Sequence, residues 1–197
     1  MEVPSKEALR RALLEKRARL SENERASAGD GLAKRFFSEV PPVADIGLYA
    51  SFRGEAPTEG ILRRLLREGR RVYLPRLREA GVLEFAAIEA EGDLEAGPFG
   101  IPQPKAARAA APLERIPLLL IPGVAFDLHG GRIGWGKGYY DSALQGYQGR
   151  RLALAYDFQV IDEIPVGDRD EAMDAILTER RTIVCRKDGL SAFGRET

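Results

Sequence analysis

The chain has 197 residues, enough for one domain with a sizeable core, and its 44% hydrophobic and 30% charged content is that of a soluble globular protein. Thirty basic residues meet thirty acidic ones, so no global charge points to nucleic acid or an anionic membrane surface, and neither partner is expected. A single cysteine (Cys185) and a single histidine (His129) exclude an internal disulfide, a thiolate cluster and a histidine-rich zinc site.

No apolar run nears the ~20 residues of a bilayer span. The N-terminal "MEVPSKEALRR" lacks the apolar core of a signal peptide, so a cytoplasmic location is expected. Ser5 is placed to cap a first helix running to about Leu20, and "SENE" (21–24) reads as a capping box opening a second, weakened in its middle by Gly29 and Gly31. "DIGLYASF" (45–52) reads as a buried strand. "TEGILRRLLREG" (58–69) follows as an amphipathic helix with Thr58 as cap and Gly69 as stop, and "RRVYLP" (70–75) is a second strand. Together they form a βαβ unit with parallel pairing. "VLEFAAI" (82–88) reads as a hairpin arm, and 92–117, rich in Gly, Pro and Ala, as a long surface excursion. "PLLLIPG" (117–123) is a central strand, "RLALAY" (151–156) another and "RTIVC" (181–185) the last, with helices between several of them. The sum is a single α/β domain over 1–197, three αβα layers around a mostly parallel sheet. Ligands of such sheets bind outside the carboxyl ends of the strands.

Just beyond the carboxyl end of that central strand lies "GGRIGWGKGYYD" (130–141). Glycines at 134, 136 and 138 alternate with Trp135 and Lys137. Alternate glycines allow positive φ and let successive N–H groups turn toward an anion. A helix beginning near Tyr139 would add its N-terminal partial charge. Lys137 supplies a full charge able to follow a moving phosphoryl group, and Asp141 a carboxylate for a phosphate-bound divalent cation. No Ser or Thr follows Lys137, so this is not a Walker A loop; Tyr139 stands where a Rossmann fingerprint has its third glycine. The plainer alternative is a tight strand-to-helix turn with core aromatics. In the first helix, Lys6, Arg10 and Arg17 share a stripe roughly 40° wide beside the apolar stripe of Leu9, Leu13 and Leu20. Such cations either reach into a cleft at the helix edge or form a solvated face.

"KEALR" (6–10), "YASFRGEAPT" (49–58) and "PGVAFDLHGGRIGWGKGYYD" (122–141) resemble the 5-formyltetrahydrofolate cyclo-ligase family, also called 5,10-methenyltetrahydrofolate synthetases. "GPFGIPQP" (97–104) and "DEAMDAILTE" (170–179) are similar to further marks of that family, and the resemblance spans about residues 5–185. It implies a fold similar to the sugar-phosphate isomerase and CoA-transferase group. It also implies conversion of 5-formyltetrahydrofolate and ATP to 5,10-methenyltetrahydrofolate, ADP and phosphate with Mg²⁺. By the same resemblance Lys6 and Arg10 match nucleotide-binding cations, and Arg132, Ile133, Gly134, Trp135, Gly136, Lys137, Gly138, Tyr139 and Tyr140 match the ATP loop. Lys137, with Arg132, is the catalytic candidate. Asp141 and Asp170 match the magnesium-associated acids, Glu55 the folate-contacting acid and Ala50 a neighbouring substrate position, with Trp135 to Tyr139 lining both ligands. The chain is expected to act as a monomer. It departs from the family pattern at Arg169, where a histidine is common, and at Ser142, where an arginine is common.

Taken singly, Glu55 reads as a solvated loop charge and Asp170 as a cap or surface acid. His129 reads as a turn residue and Cys185 as an inert strand end. Two other functions compete: a phosphosugar isomerase of the same fold group, needing a carboxylate base beside the anion loop, and a nucleotide- or RNA-binding module without turnover.

Overall fold

The first two helices start where their caps are written. In the computed structural model, which describes residues 4–165, 167 and 170–185, Ser5 Oγ accepts from the Ala8 amide at 3.3 Å and opens α1 (Lys6–Ala18). Ser21 and Glu24 then close a reciprocal box at the start of α2 (Glu22–Glu39). The Ser21 amide donates to Glu24 Oε2 at 2.8 Å, and the Glu24 amide donates to Ser21 Oγ at 3.3 Å. Gly29 and Gly31 do not break α2. A Cβ at either would stand 3.1 Å from Pro57 or from Glu179, so both glycines let neighbouring chain close onto the helix. Burial of Leu32 and Phe36, roughly 2 kcal/mol each, outweighs the ~1 kcal/mol each glycine costs.

β1 (Asp45–Gly47), α3 (Glu59–Arg67) and β2 (Arg71–Leu77) form the expected parallel unit, with Ile46 opposite Val72. Thr58 occupies the N-cap of α3 but does not cap it. Its hydroxyl donates to the Tyr49 carbonyl at 2.7 Å, tying the helix start to the segment after β1. Gly69, at φ 71°, ends the helix as expected. β3 (Leu83–Ile88) is the antiparallel hairpin arm of β2.

The stretch after β3 is more structured than a surface excursion. β4 (Leu94–Ala96) and β5 (Pro102–Pro104) pair as a hairpin, and β6 (Ala110–Ala111) adds to the edge of β3. There follow β7 (Leu118–Ile121), β8 (Ala125–Asp127), β9 (Arg132–Ile133), α4 (Tyr139–Leu144), β10 (Arg150–Leu154) and β11 (Val160–Ile161). β12 (Ala175–Leu177) and β13 (Thr182–Val184) come last. β12 lies inside "DEAMDAILTE", where no strand is expected. The helices expected between strands are α3 and α4; among the described residues the β10–β12 connection holds a 3-10 turn at Asp157–Gln159 and no α-helix.

The main sheet runs β13-β12-β10-β7-β1-β2-β3-β6. Its inner members from β12 to β2 are parallel, and both flanks are antiparallel. Successive residues serve opposite faces. Leu118, Leu120, Leu152 and Leu154 join α2 and α3, whereas Leu119, Ile121 and Ala153 join Leu144 of α4 and Tyr147. That two-sided burial explains the continuous apolar runs of β7 and β10. α1 packs instead on a small sheet, β11-β8-β9, through Leu13 against Val124, Ala125 and Ile133. This places the N-terminal cations beside the glycine loop.

Candidate active site

From β1 the chain proceeds to β2 on one side, and from β7 to β10 and β12 on the other. Connections leave in opposite directions at that switch point, and the crevice outside the strand ends is the natural ligand site. A cleft of about 430 Å³ opens there, within the range of small-molecule sites. All the site residues singled out in the sequence line it, from Lys6 and Arg10 through Ala50 and Glu55 to the whole of 132–141 and Asp170.

A buried carboxylate builds the approach to the glycine loop. Asp127 Oδ1 accepts from the His129 amide at 2.9 Å and the Gly131 amide at 2.7 Å, while Oδ2 accepts from the Ile164 amide at 2.9 Å. His129 is exposed and contributes its backbone, which is the turn role. The Gly130 carbonyl accepts from the Met173 amide at 2.9 Å, joining this turn to the segment before β12. In the loop itself Gly136 at φ 89° and Gly138 at φ 71° adopt the left-handed conformation that favours glycine, and α4 starts at Tyr139. Arg10 Nε donates to the Gly134 carbonyl at 2.9 Å, and its guanidinium lies 3.5 Å from the point a Gly136 Cβ would occupy. Lys137 is exposed and has no hydrogen bond or ion pair among the described residues.

Four other charged groups of the cleft form two ion pairs. Arg132, nearly buried, donates to Asp141 and, at 3.3 Å, to the Pro122 carbonyl. The Lys6 ammonium donates to Asp170, which also accepts from the Gly167 amide at 2.7 Å. Asp170 is thus held in place by a backbone amide and a cation rather than lying free on the surface. No cluster of three or more metal-binding side chains gathers among the described residues. Of the two departures from the family pattern, Ser142 is exposed on α4, and Arg169 lies outside the described residues.

Glu55 is not the solvated charge its sequence context implies. Arg53 at φ 47° and Gly54 at φ 74° turn the chain so that Glu55 is only 7% exposed. Trp135 Nε1 donates to its Oε1 at 2.8 Å, and the Phe52 amide to its Oε2 at 3.1 Å. Burial pushes the carboxyl pKa up, opposed by the Trp135 hydrogen bond, the nearby Arg17 charge and the Phe52 amide. Trp135 is 40% exposed, at the rim rather than in the core. Tyr140 is a partly buried phenol whose pKa burial raises. Cys185 fits the inert reading, its thiol pushed up to about 12 by burial.

Sequence reasoning missed the apolar wall. The ends of β2 and β3 contribute Leu77 and Leu83, and the tip of the β4–β5 hairpin contributes Pro98, Phe99 and Ile101. Phe99 is 74% exposed at φ 60°, an unusual conformation for an aromatic residue. The flanking Gly97 and Gly100 were the available signal of a tight turn, but nothing local said that its tip reaches the site. Sequence reasoning also left Arg17 between two roles; it is 2% exposed, beneath Trp135.

Known proteins resemble this chain along nearly its whole length. The model of the 5-formyltetrahydrofolate cyclo-ligase family matches residues 2–179. The chain is 33% identical over 172 residues to the 5-formyltetrahydrofolate cyclo-ligase of Escherichia coli (strain K12), covering 83% of this chain and 94% of that one. It is 31% identical over 192 residues to the same-named protein of Mycolicibacterium smegmatis, covering 93% and 98%. The solved structure of Aquifex aeolicus 5,10-methenyltetrahydrofolate synthetase matches with a TM-score of 0.83 at 31% identity, covering 98% of this chain and 95% of that one. The motifs that carry the resemblance converge on one cleft, and the profile, the relatives and the fold agree: the chain belongs to the 5-formyltetrahydrofolate cyclo-ligase family, ligases of folate one-carbon metabolism.

Proposed function

We propose that this chain converts 5-formyltetrahydrofolate and ATP to 5,10-methenyltetrahydrofolate, ADP and phosphate. One observation carries the reading: a single cleft joins a cation-bearing glycine loop, two acids and an apolar wall with a buried carboxylate at its base. The loop suits a polyphosphate and the wall suits a flat heterocycle. Each Glu55 oxygen already accepts one hydrogen bond and keeps a second lone pair, enough for the amide and amino donors of a pterin. Ala50, beside it, leaves room for the ring.

The chemical obstacle is the formamide oxygen, a very poor leaving group. In the proposed sequence that oxygen attacks the γ-phosphorus of ATP, the bond to the ADP oxygen breaks, and the formyl carbon becomes an iminium bearing a phosphate ester. N10 attacks this carbon, loses its proton, and phosphate departs to leave the methenyl bridge. Positioning and charge neutralisation carry such a transfer. Lys137, unpaired and exposed, is assigned to the transferring phosphoryl; Arg10 and Lys6 are assigned to the nucleotide phosphates, and Arg132 to charge at the loop base.

Asp141 and Asp170, both lining the cleft, are assigned to a hard cation whose remaining ligands would be phosphate and water oxygens. Mg²⁺ held there would neutralise phosphate charge, and Arg132 and Lys6, now paired with those acids, would be released toward the nucleotide. A cytoplasmic location, a monomeric enzyme and kinship of fold with the sugar-phosphate isomerase group belong to the same proposal. The isomerase alternative finds a carboxylate in Glu55 but leaves Lys6, Arg10, Asp141 and Asp170 without a task.

The test mixes protein, ATP, Mg²⁺ and 5-formyltetrahydrofolate and follows methenyl absorbance. Signal dependent on both ATP and folate is expected; its absence contradicts the reading. Lys137→Ala is expected to lower kcat roughly 10²–10³-fold while leaving the folate dissociation constant within about two-fold. Equal losses in both would remove Lys137 from phosphoryl transfer.

A further inference from the structure

Arg17 is a buried cation that the proposed chemistry does not use. Its side chain leaves α1 toward the loop that carries Glu55, and neither Nη1 nor Nη2 has a hydrogen-bond partner although both are shielded from solvent. A buried guanidinium without partners is costly, so a compensating interaction is required. Two are present. The guanidinium carbon stands 4.9 Å from the centroid of the Trp135 ring, a cation–π arrangement strengthened by desolvation. The Glu55 carboxylate supplies the principal favourable charge felt by Arg17, against burial that lowers the arginine pKa. A Cβ at Gly54 would stand 3.7 Å from Arg17 Cγ, so the Glu55 loop rests directly on the arginine stem.

We propose that Arg17 is a positioning residue for folate recognition: from behind the cleft it holds the Trp135 ring and the Glu55 carboxylate in the arrangement the ligand meets. The inference rests on the functional reading above, in which Glu55 and Trp135 contact the folate. Arg17 does not line the cleft. It acts through Trp135, which donates to Glu55 Oε1, and through its charge, which opposes the effect of burial and favours the ionised, accepting form of the carboxylate. The other groups facing this site do not replace it. Tyr49, after β1, is a buried phenol and Tyr140, on α4, a partly buried one; both have raised pKa values and are neutral in the working range. Tyr156 donates its hydroxyl to the Glu55 carbonyl at 3.3 Å. Arg25, on α2, faces Arg17 and opposes its charge, and Arg53 is in the same loop as Glu55, where it lies over Phe52.

Trp135 is the only tryptophan of the chain, so its fluorescence reports this site alone. Wild type, Arg17→Met and Arg17→Lys are compared in two titrations, one of the free protein with acid and one with 5-formyltetrahydrofolate. In Arg17→Met the acid transition of Trp135 emission is expected at higher pH than in wild type, because burial then acts on Glu55 without the opposing cation. Its folate dissociation constant is expected to rise about ten-fold, with that of ATP changed less than about two-fold. Arg17→Lys, which keeps the charge, is expected to restore the wild-type transition. If circular dichroism shows the methionine variant unfolded, Arg17→Gln carries the same expectation. A neutral variant with wild-type transition and folate affinity overturns the assignment, as does a lysine variant that fails to restore the transition. Wild type that does not bind 5-formyltetrahydrofolate overturns the functional reading itself; wild type that binds, beside an equally tight Arg17→Met, overturns only the role of Arg17.

Discussion

Glu55 stands in the least comfortable environment of the residues assigned to the cleft, and its titration can be followed through stability. Burial raises its pKa in the folded chain above the ordinary value of 4.5. Below that ordinary value the carboxyl is neutral in both states and its burial carries no charge penalty. As pH rises through the folded-state pKa, the folded chain must ionise a desolvated group, so its contribution to stability falls. Glu55→Gln lacks this penalty. The melting temperature of the variant relative to wild type is therefore expected to increase between about pH 4.5 and neutrality. Its folate affinity is expected to fall by about 10–100-fold, the loss of a charged acceptor. A melting difference independent of pH would contradict the buried-charge account. The burial is not legible in "RGEAPT" (53–58), which reads as a polar loop. What buries Glu55 is a left-handed turn at Arg53 and Gly54 together with a tryptophan from residue 135, a distant part of the chain.

At the scale of elements, local signals succeeded where the chemistry is local. Ser5, Ser21 with Glu24, and Gly69 mark helix ends through bonds or conformations confined to a few residues. Thr58 marks the right position for a different reason, since its hydroxyl serves the Tyr49 carbonyl. The stretch 92–117 was illegible because its short strands are stabilised by partners, not by propensity. Its hairpin lines the cleft with Pro98, Phe99 and Ile101. Phe99 holds a left-handed conformation that costs an ordinary residue ~1 kcal/mol, and strain of this kind gathers at working sites. In Phe99→Gly, relief of that strain offsets the 0.5–1 kcal/mol, roughly, of added chain entropy, and little burial is lost because the ring is 74% exposed. The melting temperature is expected to stay within about 2 °C. The folate KM is expected to rise roughly ten-fold, as the ring's apolar cover is lost. A large fall in melting temperature at unchanged KM would assign Phe99 to folding instead.

For the whole molecule, sheet order explains why distant motifs meet. The switch between β1 and β7 brings the Glu55 loop and the glycine loop to neighbouring strand ends. The packing of α1 on β8 and β9 delivers Lys6 and Arg10 to the same place, and the Gly130–Met173 bond draws in the segment that follows Asp170. The motifs and their separation along the chain were readable. Their convergence depends on strand order and on a strand, β12, that composition conceals. A neutral chain thus gathers cations and acids at one mouth, where Lys6 pairs with Asp170 and Arg132 with Asp141. In the proposed reaction this mouth makes the formyl oxygen leave as phosphate. The direct measurement is turnover of 5-formyltetrahydrofolate labelled with ¹⁸O in its formyl group, using unlabelled ATP and water. Recovery of the label in the released phosphate is the expected result; label in water, with none in phosphate, would contradict it.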